Sequence, residues 1–192
     1  KDIVLATKFS YPLDKVGKLK GASRGYIMSA VEASLKRLKT DWIDLYQQHR
    51  PDPLTPIEET LRALDDLVRA GKVRYVGLSN VAGCQLVEGH WTARTAGLAR
   101  PVSTTNHFNL AHRDPERTLL PAARAMGMGV IPYYPFESGL LTGRYRAGGP
   151  ADGLRLPRSP RGPGLLTPQN FARLERWEAF AAERGHTLLE LA

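Results

Sequence analysis

Five short apolar runs, each followed by a helical pattern, recur about every 30 residues, and this alternation constrains the fold more than any other feature. The runs are Ile3 to Phe9, Trp42 to Gln48, Val73 to Leu78, Pro101 to Phe108 and Gly129 to Tyr134. Continuous apolar strands of this kind suit a parallel sheet covered on both faces. Between them, Ile27, Val31, Leu35 and Leu38 follow a capping Ser23 at helical spacing. Thr55-Pro56-Ile57-Glu58 reads as a capping box, with Ile57, Leu61, Leu64, Leu67 and Val68 inward and Gly71 as the stop. A weaker helix is expected around Gln85 to Thr95. Another is expected from Asp114-Pro115 through Leu119, Leu120, Ala123 and Met126. Thr167-Pro168 opens one more, with Phe171, Leu174, Trp177, Phe180 and Ala181 apolar.

Strand-helix alternation means α/β, either doubly wound or closed as a (β/α)8 TIM barrel. No Gly-x-Gly-x-x-Gly follows the first strand, which argues against the doubly wound dinucleotide fold. A barrel takes eight strands and this chain supplies five. An open five-strand piece would expose parallel edges, and Thr187-Leu188-Leu189-Glu190 reads as a cap opening a further helix. The expectation is that residues 1–192 form the central portion of one barrel domain, lacking its first two strands and its last. The stretch from Gly143 to Gly164, rich in Pro, Gly and Arg, is long for a compact domain and reads as a functional or mobile loop.

In barrels of this kind, side chains at the C-terminal ends of strands face the active site. Lys8, His49 and Asn80 each fall at such an end, so an ammonium, an imidazole and an amide are expected to converge on one mouth. The formal net charge of +8 raises nucleic acid as a partner, but no basic helix with interleaved aromatics accompanies it. A local cationic patch between Arg144 and Arg161, suited to a small phosphorylated ligand, fits better. Cys84 is the single cysteine, which leaves no disulfide framework and no cysteine-based metal site. His90, His107, His112 and His186 lack ligand spacing, so no metal is expected. No run approaches membrane-spanning length and the first residues are not a signal peptide, so a cytoplasmic location is expected.

Four motifs, in this order and spacing, resemble those of the aldo-keto reductases: Leu5-Ala6-Thr7-Lys8, Asp44 to Asp52, Gly71 to Asn80, and Ser138 to Tyr145. The resemblance implies a (β/α)8 barrel that binds NADP(H) and reduces an aldehyde or ketone to an alcohol by hydride transfer. It matches Lys8 and His49 to two members of the catalytic tetrad. It places the tetrad's tyrosine and aspartate before residue 1. Ser79 and Asn80 match the pair that holds the nicotinamide carboxamide, and Tyr133 the aromatic that stacks on the nicotinamide ring. Ser138, Gly139 and Leu140 match the loop along the cofactor pyrophosphate. The motif that grips the adenosine 2′-phosphate would follow residue 192. Three positions depart from the family pattern: Thr105 stands where a glutamine is usual, Tyr134 where a serine is common, and Glu137 where a small residue is common. A carboxylate at 137 would repel a pyrophosphate unless it turned away or paired with an arginine such as Arg144.

The implied partner is a small carbonyl substrate, with no nucleic acid and no membrane. Oligomeric state is open. The alternative is a nicotinamide-nucleotide-binding regulator without turnover, or an inactive truncated product lacking the tyrosine and aspartate.

Overall fold

The computed structural model describes residues 3–12, 20–149 and 153–192. Five strands form one sheet in the order β1-β2-β3-β4-β5: Ala6–Phe9, Ile43–Gln48, Val73–Ser79, Pro101–His107 and Gly129–Tyr133. The pairings of β1 with β2, β2 with β3 and β3 with β4 are all parallel. The chain divides into two compact units, one of residues 1–106 with 114–131, the other of residues 107–113 with 132–192.

In the first unit, helices α1 (Arg24–Leu38), α2 (Ile57–Arg69), α3 (Gly83–Thr95) and α4 (Leu119–Ala125) follow the first four strands. Ser23 caps α1 by accepting from the Tyr26 N–H. The core lies between helices and sheet. One cluster joins Phe9, Ile27, Val31, Tyr46, Leu64 and Val76. A second joins Leu78, Leu86, Leu119, Ala123 and Met128.

Several local expectations need correction. Ile3 and Val4 lie outside β1 and are largely exposed, so only the end of that apolar run is strand. Thr55 does not cap α2: Pro56 holds that position, Thr55 bonds to Asp52, and Glu58 pairs with Arg62 one turn on. Asp114–Arg117 form a separate 3-10 turn, and Thr118, with φ −141°, breaks it from α4. Leu38 and Phe180 face solvent in part rather than the core.

The second unit packs Leu140, Leu141, Tyr145, Leu156, Leu174 and Leu188 into its own core. Leu156 is fully buried inside the segment expected to be a loop. That segment holds a 3-10 turn at Leu156–Arg158 and a short helix α5, Gly162–Leu165. Tyr145 and Leu154 of the same segment pack on the same cluster, so apolar burial anchors it despite its prolines and glycines. Helix α6 (Pro168–Ala182) is capped by Thr167, and α7 (Leu188–Leu191) by the reciprocal Thr187–Glu190 box that the sequence suggests. The Lys15 and Lys18 side of the loop after β1, and residues 150–152, lie outside the described residues.

Candidate active site

Parallel register fixes which side chains share a face. Lys8 pairs with Gln47, Gln47 with Gly77, and Gly77 with Ser103; one step of two residues further on, Ser79 pairs with Thr105. Because side chains alternate along a strand, Lys8, Gln47, Ser79 and Thr105 therefore project from the same face, near the C-terminal ends. His49 is two residues beyond Gln47 and continues that face. Its N–H donates to the Phe9 carbonyl at 2.9 Å, which extends the β1–β2 pairing past the end of β2. The opposite face carries Phe9 and Tyr46, whose rings lie 4.9 Å apart in the core.

Gly77 makes the polar face possible. A Cβ there would lie 2.8 Å from Ser103 Oγ and 3.1 Å from Gln47 Cγ. The missing side chain leaves room for Gln47, which is buried and donates from Nε2 to Thr105 Oγ1 at 2.8 Å. A buried amide needs such a partner. Thr105, one of the positions that depart from the resembled pattern, thus has its hydroxyl oxygen engaged from a strand two places away. Gln47 was not among the sequence candidates, although its position two residues before His49 carries the signal.

Asn80 ties the strand ends together. It adopts left-handed backbone, φ 56°, which asparagine tolerates better than most residues. Its Nδ2 donates to the His49 carbonyl at 2.9 Å and to Ser79 Oγ at 3.2 Å. Its N–H donates to the Thr105 carbonyl at 3.0 Å, and Ser79 Oγ donates to the same oxygen at 2.8 Å. The ends of β2, β3 and β4 are therefore cross-linked through Ser79 and Asn80. Lys8, at the end of β1, is exposed.

Burial lowers the pKa of the His49 imidazole below its ordinary value, and the charges of Lys8 and Arg50 lower it further. At neutral pH the ring is uncharged and can still donate from one nitrogen. The Tyr11 ring meets it edge-on at 4.4 Å, and the Arg50 guanidinium lies over the Tyr11 ring at 5.4 Å. Nothing in the sequence pattern singled out Tyr11. The loop after His49 is held by Asp52. Burial opposes ionisation of that carboxyl, but hydrogen bonds from the Ala22 and Leu54 N–H groups and the Thr55 hydroxyl outweigh it, and the pKa is lowered. Tyr46, the tyrosine nearest this motif in sequence, is unsuited to proton transfer here. It points into the core, and burial pushes its hydroxyl pKa well up.

The second unit holds the other predicted residues. Tyr133 stacks on His107 at 5.3 Å, and His107 stacks on His112 at 4.1 Å. Ser138 and Gly139 both have positive φ, 58° and 100°, which turns the chain sharply after the Phe136 carbonyl. The Leu140 side chain is committed to the core, so only its backbone is free to face a ligand. Glu137 is buried and pairs with Arg161 rather than with Arg144. Arg161 also donates from Nη1 to Ser138 Oγ at 2.7 Å and lies over the Tyr134 ring at 4.2 Å. A cavity of about 390 Å³ opens beside this loop, lined by Tyr134, Phe136, Ser138, Gly139, Arg144 and Arg155. Among the described residues no cluster of His, Cys, Asp and Glu could hold a metal, and no helix is long and apolar enough to cross a membrane.

The strands carry Lys8, His49 and the Ser79–Asn80 pair at the C-terminal ends of a parallel α/β sheet, and comparison with known proteins identifies the family. The aldo/keto reductase family model matches residues 1–192, and the chain belongs to that family. It is 46% identical over 124 residues to an aldo-keto reductase of Fusarium vanettenii, covering 65% of this chain and 34% of the relative. It is 36% identical over 157 residues to a putative aryl-alcohol dehydrogenase of Saccharomyces cerevisiae, covering 73% and 46%. It is also 36% identical over 157 residues to a putative voltage-gated potassium channel subunit beta of Schizosaccharomyces pombe, covering 81% and 45%. The chain thus spans from about a third to under half the length of these relatives.

Proposed function

We propose that the chain supplies the central part of an NADP(H)-dependent carbonyl reductase acting on a small aldehyde or ketone. The observation that carries this reading is the shared rim: Lys8 and His49 lie at adjacent strand ends, and Asn80 is bonded to the residue that bears the imidazole. When bound, the nicotinamide supplies the hydride.

Hydride arrival at a carbonyl carbon builds negative charge on the oxygen, and that charge must be protonated or held by donors. A neutral His49 is suited to donate to the oxygen and orient it. Its lowered pKa keeps the ring uncharged at neutral pH, so it acts as a hydrogen-bond donor rather than as a fixed cation. Lys8 places an ammonium close enough to perturb that ring. The same charge favours the phenolate form of the tyrosine acid that the family resemblance implies, and so makes it a better acid near neutral pH. Ser79 and Asn80 fix the ends of β2, β3 and β4 where the resemblance places the nicotinamide carboxamide. In the second unit, Tyr133 offers an aromatic face, and the Ser138 hydroxyl and the Leu140 backbone, with Gly139 turning the chain between them, suit a pyrophosphate beside a cavity that Arg144 and Arg155 make cationic.

A second reading, favoured by the likeness to a putative voltage-gated potassium channel subunit beta, is that the protein serves a partner, with the nucleotide bound but turned over little. One experiment separates the two. The full reading frame containing residues 1–192 is purified, NADPH binding is followed by fluorescence, and NADPH oxidation is followed with a panel of aromatic and aliphatic aldehydes and ketones. Binding with turnover supports the reductase, and binding without turnover supports the regulator. No binding of NADPH contradicts both.

A further inference from the structure

Glu137 poses a physical problem that the functional reading does not solve. A buried carboxylate sits immediately before Ser138, in the loop assigned to a pyrophosphate. Two like-charged groups at such range repel strongly in a low-dielectric setting. The structure shows how the charge is handled. Glu137 Oε1 is paired with Arg161 Nη2. Glu137 Oε2 accepts from His107 Nε2 at 2.8 Å and from Asn109 Nδ2 at 2.7 Å. A carboxylate can only accept, so His107 carries its proton on Nε2. Asn109 is oriented for the task because its Oδ1 accepts from the Ala111 and His112 N–H groups. The second terminal nitrogen of the same guanidinium, Nη1, holds Ser138 Oγ at 2.7 Å. One planar fork therefore grips the unfavourable carboxylate and the useful hydroxyl together, with its face against the Tyr134 ring.

We propose that Arg161 is a positioning residue for dinucleotide binding. It cancels the Glu137 charge that would repel a pyrophosphate, and it fixes the Ser138 hydroxyl beside the cavity. This rests on the NADP(H) reading above. It also gives a task to the last arginine of the Gly143–Gly164 segment, which Leu156 anchors in the core.

The test is a double-mutant cycle in the full reading frame, with NADPH affinity measured by fluorescence titration and kcat measured at saturating NADPH. Arg161→Met is expected to weaken NADPH binding roughly 10- to 100-fold while kcat at saturation stays within about twofold. Adding Glu137→Gln removes the exposed charge and should restore most of the lost affinity, the shortfall being the Ser138 hydroxyl left unheld. A double variant as weak as Arg161→Met overturns the charge-cancelling role, and so does an Arg161→Met variant with unchanged affinity. Should Arg161→Met fail to fold, Glu137→Gln alone decides the matter. It leaves the arginine charge in place, so it should bind NADPH at least as tightly as wild type, and clearly weaker binding overturns the proposal. Failure of the wild-type protein to bind NADPH removes the functional reading itself, and this inference with it.

Discussion

The Asn80 side-chain amide donates to the His49 carbonyl oxygen at 2.9 Å, so one side chain joins the ends of two adjacent strands. The bond leaves the His49 ring free while fixing the backbone that carries it. Asn80 also keeps left-handed backbone that most side chains resist. Asn80→Ala loses the hydrogen bonds and strains the backbone. It should cost about 2 kcal/mol of stability, whereas Asn80→Gly, relieved of the strain, should cost less. Urea unfolding of both variants checks the order. Equal losses would assign the whole effect to the amide.

Gly77→Ala would push a methyl group to 2.8 Å from Ser103 Oγ and 3.1 Å from the Ser103 carbonyl. A backbone neighbour cannot rotate away. The expected cost is about 1–3 kcal/mol, as for other overpacked interiors. The same change should disturb Gln47 and the Thr105 hydroxyl it meets. Urea unfolding reads the first effect, and the NADPH dissociation constant reads the second.

His49 should titrate below the ordinary imidazole value of 6.5. The sign follows from linkage. The folded state resists protonation more than the unfolded chain does, so the contribution to stability is intact above about pH 6.5 and declines as pH falls from there toward the folded-state pKa. Imidazole proton shifts followed by NMR against pH measure this directly. Lys8→Met removes one of the two cationic neighbours and should move the midpoint upward, although burial, the larger cause, remains. A midpoint unmoved by that substitution would separate Lys8 from the imidazole.

Leu156→Ala removes a fully buried side chain from the second unit's core. The expected loss is about 2–5 kcal/mol. Because this residue anchors the segment that carries Arg161, weaker NADPH binding should accompany the loss. Chemical denaturation together with a nucleotide titration checks both. A loss well below that range would mean that Tyr145 and Leu154, which pack on the same cluster, hold the segment without Leu156.

Much of the fold was legible because its strands are apolar and its helices keep helical spacing. The strand positions of β2, β3 and β4 and the caps at Ser23, Thr167 and Thr187 follow from residues in direct sequence proximity. Local signals failed where a tertiary contact competed. Thr55 has the right side chain to cap α2, but the nearby Asp52 carboxylate takes its hydroxyl. Ile3 and Val4 continue an apolar run past the point where β2 offers backbone partners. At the candidate site, Lys8, His49 and Asn80 stand out because each is polar at the end of an apolar strand. Gln47 hides inside its strand, visible only by counting back two residues. Arg161 could not be chosen from sequence over Arg144, since pairing with Glu137 depends on how a long segment folds back. Tyr11 and His107 meet their partners through ring contacts that leave no trace in spacing.

Turnover by the complete protein with Lys8 replaced is the most direct test of the proposed chemistry. NADPH oxidation with an aromatic aldehyde is measured for the full reading frame and its Lys8→Met variant, alongside NADPH affinity. The expected result is a fall in kcat of about 100-fold or more with nucleotide affinity nearly unchanged. A Lys8→Met protein that reduces the aldehyde at the wild-type rate would contradict the assignment of this strand end to catalysis.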